Sequence, residues 1–77
     1  MIKLYYFAGL REMTGKAEEM ADLAGQTVGD LYGWITDKYP DMPISSVRIA
    51  INEEYALPTD VLQDGDIAAL IPPVSGG

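Results

Sequence analysis

The side chains that most often carry reactions are missing from this chain: its 77 residues include no cysteine and no histidine. That removes thiolate nucleophiles, disulfides and zinc knuckles, together with the commonest general base and metal ligand. The stretch that could do chemistry is the end, Pro72-Pro73-Val74-Ser75-Gly76-Gly77, directly after the apolar run "IAALI". Two prolines favour an extended, low-entropy backbone, and Ser75, Gly76 and Gly77 leave a chain slim enough for a narrow tunnel. Small residues are also usual at frayed termini, so Gly-Gly alone decides nothing; the stiff apolar lead-in argues for a role. The reactive group would then be the C-terminal carboxylate. An ATP-using enzyme can convert it to an acyl adenylate, after which a sulfur nucleophile displaces AMP and leaves a thiocarboxylate. Glycine suits this step because it has no β-carbon to obstruct in-line attack. On this reading the chain needs no catalytic side chain of its own, and no metal is expected.

Something must hold that end in place. "IKLYYF" alternates Ile2, Leu4 and Tyr6 with Lys3, Tyr5 and Phe7, the pattern of a half-buried strand. "AGLREMTGK" sets Leu10 and Met13 at helical spacing between two glycines, with space for one or two turns inside a wide hairpin connection. "KAEEMADL" alternates through Ala17, Glu19, Ala21 and Leu23 and reads as a second strand. Thr27 followed three residues later by Asp30 predicts a capped helix start, with Val28, Leu31, Ile35 and Tyr39 forming one apolar stripe and Pro40 ending it. Gly33 weakens that helix, and Trp34 falls off the centre of the stripe, where it reads as a core-rim residue or a partner contact. "SVRIAIN" is the clearest strand, "EEYAL" a short edge strand, "QDGD" a turn, and "DIAALI" the last strand before Pro72 and Pro73 stop it.

This order predicts an α+β domain over residues 1–71, followed by an extended tail over 72–77. The first and last strands can lie parallel at the centre of the sheet with one long helix over one face. Alternation then sends Phe7, Ile67, Ala69 and Ile71 to the opposite face. One helix cannot cover both sides, so this face is either a scatter of surface apolars or a surface that a partner covers.

Composition restricts the partners. Apolar residues make up 48% of the chain and charged ones 22%, as in ordinary folded domains. A chain this short buries only about 60% of its unfolded surface, which makes use of a partner plausible. Twelve acids against five bases give a formal charge of −7, which argues against nucleic acid; the acids are scattered as on a solvated surface. A basic rim on the partner, with association that weakens in salt, is compatible with that charge. No leader pattern precedes the first strand and no apolar run approaches a bilayer span, so the expectation is a cytoplasmic protein with no membrane partner.

The segments "IKLYYFAGLRE", "TVGDL", "AINEEY", "LQDGD" and "ALIPPVSGG" together resemble the small subunits of molybdopterin synthase, a family of ubiquitin-like sulfur carriers. The resemblance runs nearly end to end, and the last nine residues are its most specific part. It implies a β-grasp fold with a mixed sheet and one main helix on one face. It also implies that Gly77 is adenylated and converted to a thiocarboxylate, and that Pro73, Val74, Ser75 and Gly76 insert with it into the large synthase subunit. Sulfur would pass there to cyclic pyranopterin monophosphate. The implied partners are that large subunit, a ubiquitin-activating-like adenylating enzyme that uses ATP, and a sulfur donor, with no permanently bound cofactor. Phe7, Ile71 and Tyr55 match apolar positions on the partner-facing side; Arg11 matches a basic position with no assigned role. Sulfur carriers of thiamine synthesis share the fold and the Gly-Gly end. A modifier that forms isopeptide bonds to lysine through the same activated glycine is the rival reading.

Overall fold

Alternation along the first strand is realised directly. In the computed structural model, which describes residues 1–72, strand β1 (Ile2–Tyr6) buries Ile2, Leu4 and Tyr6 and leaves Lys3 and Tyr5 half-buried on the other side. A short helix α1 (Gly9–Thr14) follows, anchored by buried Leu10 and closed by Gly15 in the left-handed conformation. Strand β2 (Glu18–Ala21) returns antiparallel to β1, pairing Leu4 with Glu19 and Ile2 with Ala21.

Helix α2 (Val28–Lys38) starts where the capping pattern placed it. The Asp30 amide donates to Thr27 Oγ1 at 3.2 Å, and the Thr27 amide donates to Asp30 Oδ2 at 3.0 Å, so each residue satisfies an amide that the first turn leaves without a partner. Val28, Leu31 and Ile35 are fully buried, each contributing about 1.5–3 kcal/mol by leaving water. The first turn also docks on the long loop that precedes the last strand: the Gly29 amide donates to the Pro58 carbonyl at 2.9 Å. A β-carbon on Gly29 would stand 3.3 Å from that same oxygen, so a larger residue there would require the loop to give by a few tenths of an ångström.

The chain then makes one turn of 3₁₀ helix (Ile44–Ser46) and enters β3 (Arg48–Ile51), β4 (Glu54–Tyr55) and finally β5 (Ile67–Ile71). The sheet order is β2-β1-β5-β3-β4. The two terminal strands, β1 and β5, run parallel at its centre, with Leu4 beside Ala68 and Tyr6 beside Leu70; the other pairings are antiparallel. Main helix and sheet enclose one core of Ile2, Leu4, Tyr6, Leu31, Ile35, Ile49, Leu62, Ala68, Leu70 and their neighbours. This is the β-grasp arrangement, with α2 over one face and the other face open. Trp34 packs at the core rim, as its place beside the stripe indicated.

Two features exceed what periodicity shows. Met42 and Leu62 are buried although they lie in segments without regular alternation, and the second edge strand shrinks to Glu54 and Tyr55. Leu62 is drawn in by backbone pairing, since its amide donates to the Gln26 carbonyl and its carbonyl accepts from Gly25, both at 2.7 Å.

Candidate docking face and C-terminal site

The positions opposite the core form a continuous row across the sheet. Tyr5 lies beside Ala69, Ala69 beside Ala50, and Ala50 beside Tyr55, so four strands contribute to one band. Next to it, Ile71 pairs with Arg48 and Ile67 with Lys3. Phe7 extends the face just beyond the end of β1. Three of these apolar side chains stay strongly exposed: Phe7 at 42%, Ile67 at 43% and Tyr55 at 66%.

They surround a real depression. Two adjoining grooves of about 540 and 470 Å³ share Phe7, Glu53 and Ala69 in their walls. The larger also takes in Ala50, Tyr55 and Ile71; the smaller adds Tyr5, Asn52 and Ile67. Phe7, Tyr55 and Ile71 therefore converge on one groove, although they come from three separate segments. The alternation of β1 and β5 made Phe7 and Ile71 legible as a pair, while Tyr55 was placed by family resemblance. Its register opposite Ala50 now supplies the physical reason.

Charge on the face is sparse and braced by aromatic rings. Arg48 Cζ lies 5.0 Å from the Tyr55 ring centroid and Lys3 Nζ 5.8 Å from that of Tyr5. Such stacking holds a cation at the rim of an apolar surface without taking it out of water. Arg11 is exposed on α1, away from the groove walls. Pro73, Val74, Ser75, Gly76 and Gly77, the residues to which the sequence assigns tail insertion and acyl chemistry, lie outside the described residues. Among the described residues, no three or more Asp or Glu side chains gather in a way that could hold a metal ion.

On the side away from the groove, a polar hub ties β1, β2 and α2 together. Glu19 points inward in phase with Ala21, and its side chain is only 7% exposed. Tyr6 and Tyr39 hydroxyls each donate to Glu19 Oε1 at 2.8 Å; Lys16 Nζ donates to Oε2 at 3.0 Å, and Lys38 Nζ donates to the same oxygen. Burial by itself would raise the Glu19 pKa, but the hydrogen bonds from Lys38, Lys16, Tyr6 and Tyr39 outweigh it and hold the carboxyl at about 2. Burial first, and then the bond to this carboxylate, push the Tyr6 and Tyr39 hydroxyls above their ordinary range. The two tyrosine rings meet edge to face at 6.1 Å, and Lys38 Nζ lies 5.0 Å from the Trp34 ring centroid. Sequence reading missed this hub. The available signal was a glutamate at an inward-facing strand position.

The model of the ThiS family matches residues 4–77. The chain belongs to the ThiS family. A molybdopterin synthase sulfur carrier subunit from Chlamydomonas reinhardtii is 41% identical to it over 99% of this chain and 98% of its own length. This bears out the resemblance that the sequence segments carried. Among solved structures, a putative molybdopterin converting factor subunit 1 from Pyrococcus furiosus superposes with a TM-score of 0.84 at 31% identity, covering 95% of this chain and 97% of that one. The small archaeal modifier protein 1 of Methanosarcina acetivorans gives 0.82 at 31% identity, over 99% and 95%. This ThiS-family chain thus shares its β-grasp fold both with proteins named for molybdopterin synthesis and with one named as a modifier.

Proposed function

We propose that this chain is the sulfur carrier subunit of a molybdopterin synthase. The observation that carries the reading is the 41% identity, over nearly the whole of both chains, to a relative with that name. The Gly76-Gly77 end and the groove lined by Phe7, Tyr55 and Ile71 support it. Residues 1–71 act as the body that partners grip, and residues 72–77 carry the carbonyl on which they act.

The chemistry takes place on the main chain. The Gly77 carboxylate attacks the α-phosphate of ATP on a ubiquitin-activating-like enzyme, releasing pyrophosphate and forming the acyl adenylate. Hydrosulfide released by a sulfur donor attacks the carbonyl carbon, AMP departs with one carboxylate oxygen, and loss of the sulfur's proton leaves a thiocarboxylate. Bound to the large subunit, the thiocarboxylate sulfur bonds to a carbon of cyclic pyranopterin monophosphate as an oxygen substituent leaves that carbon, and water cleaves the resulting thioester, leaving sulfur on the substrate and the carboxylate on Gly77. On this reading the acid and base groups belong to the partners. The protein works in the cytoplasm and retains no cofactor, ATP being used by the activating enzyme.

With activating enzyme, ATP and a sulfur source, intact mass should rise by about 16 Da, one oxygen having been exchanged for sulfur. Deleting Gly77 should abolish both the mass gain and sulfur transfer; transfer that survives the deletion refutes the proposal. A second reading, isopeptide modification of other proteins, is favoured by the likeness to the archaeal modifier protein. Denaturing gels of a tagged chain from its own cells separate the two, since covalent ladders support the modifier and their absence supports the carrier.

A further inference from the structure

The turn between β3 and β4 is made by Asn52 and Glu53, both with positive φ, 50° and 72°. A two-residue hairpin turn of this kind suits asparagine at its first position and glycine at its second. Asn52 is well used there. Its Nδ2 donates to Asp66 Oδ1 at 2.9 Å and its Oδ1 accepts from the Ile67 amide at 3.0 Å, pinning the hairpin to the start of β5.

Glu53 is different. Its left-handed backbone is disfavoured for a residue with a β-carbon, and among the described residues its carboxylate takes no hydrogen bond or ion pair. Instead its side chain lines both grooves of the open face, where it is the one acidic side chain in either wall. Neither turn chemistry nor packing against apolar neighbours favours a carboxylate at this point. Strain held at a surface depression points to a use for the side chain.

We infer that Glu53 is a specificity-determining residue of this face, pairing with a basic side chain on a partner protein whose neighbouring apolar side chain enters the groove of Phe7, Ala69 and Ile71. The inference rests on the proposal that the chain docks the large synthase subunit. The short run of sequence after β5 supports a protein as occupant. Ile71 forms part of the groove wall and Gly77 follows six residues later, a reach of at most about 20 Å. A protein that holds the Gly77 carbonyl therefore lies within about 20 Å of Ile71, close enough to reach this face. Glu53, the one acidic residue in the groove walls, and the net charge of −7 select a basic contact at this point.

The test uses the full chain and the purified large subunit of molybdopterin synthase from the same organism. Glu53→Gln should weaken binding by about 3- to 10-fold and flatten its dependence on salt. Glu53→Gly should weaken binding similarly while raising the Tm by about 2–6 °C, because glycine relieves the left-handed backbone. The opposed signs separate recognition from a merely structural role. Binding unchanged in both variants, or a lower Tm for Glu53→Gly, overturns the inference alone. If the unaltered chain does not bind the large subunit, the proposed function and this inference fall together.

Discussion

Replacing Glu19 with glutamine should remove a defined part of the pH dependence of stability. Its carboxyl is lowered from 4.5 to about 2 in the fold, even though burial opposes ionisation, because Lys38, Lys16, Tyr6 and Tyr39 all donate to it. At about 1.36 kcal/mol per pKa unit this shift corresponds to roughly 3 kcal/mol. Lys16 and Lys38 are each almost half exposed, so solvent screening reduces the expected contribution to about 2 kcal/mol. A depressed carboxyl pKa stabilises the fold fully above the unfolded value and loses that contribution as pH falls through the folded one. The window is therefore from about pH 5 down to about pH 2. Urea unfolding at intervals across pH 2–8 should show the unaltered chain losing about 2 kcal/mol more than Glu19→Gln within that window, with similar m-values. Two curves that run parallel would refute the assignment of the hub as a charged latch.

Three further substitutions test particular positions. Gly33→Ala should stabilise by up to about 1 kcal/mol, since a β-carbon there meets nothing within 4 Å and the helix interior favours alanine; thermal melting checks it. Thr27→Ala removes the acceptor for the Asp30 amide and should lower stability by about 1 kcal/mol in urea titration. Phe7→Ser, at a residue 42% exposed, should change stability by no more than about 0.5 kcal/mol. The same change should weaken docking to the large subunit by about tenfold or more, measured calorimetrically.

Much of this architecture is legible because its elements have strong periods. Alternation in Ile2–Tyr6 and Ile67–Ile71, the Thr27–Asp30 cap and the Val28, Leu31, Ile35 stripe each point to one element, and those elements define both the covered and the open face. What stayed hidden depends on contacts between distant segments. The Glu19 hub draws on β1, β2, α2 and the residues flanking them, and no local pattern brings Lys16, Lys38, Tyr6 and Tyr39 to one carboxylate. Leu62 is buried through backbone pairing with Gly25 and Gln26, which leaves no periodic trace. Glu53 was unreadable for the opposite reason, because glutamate is an unusual choice for a left-handed turn position. The candidate site divides in the same way. Phe7 and Ile71 followed from alternation, whereas Tyr55 came from family resemblance alone, its physical reason being a register that only the folded hairpin provides.

The most direct measurement blocks the final carbonyl. A chain prepared with Gly77 as a C-terminal amide keeps every side chain and loses only the carboxylate that would be activated. In a reconstituted reaction with the activating enzyme, ATP, a sulfur source and the large subunit, it should yield no thiocarboxylate and transfer no sulfur, while still binding the large subunit. Sulfur transfer by the amide at the rate of the unblocked chain would contradict the account.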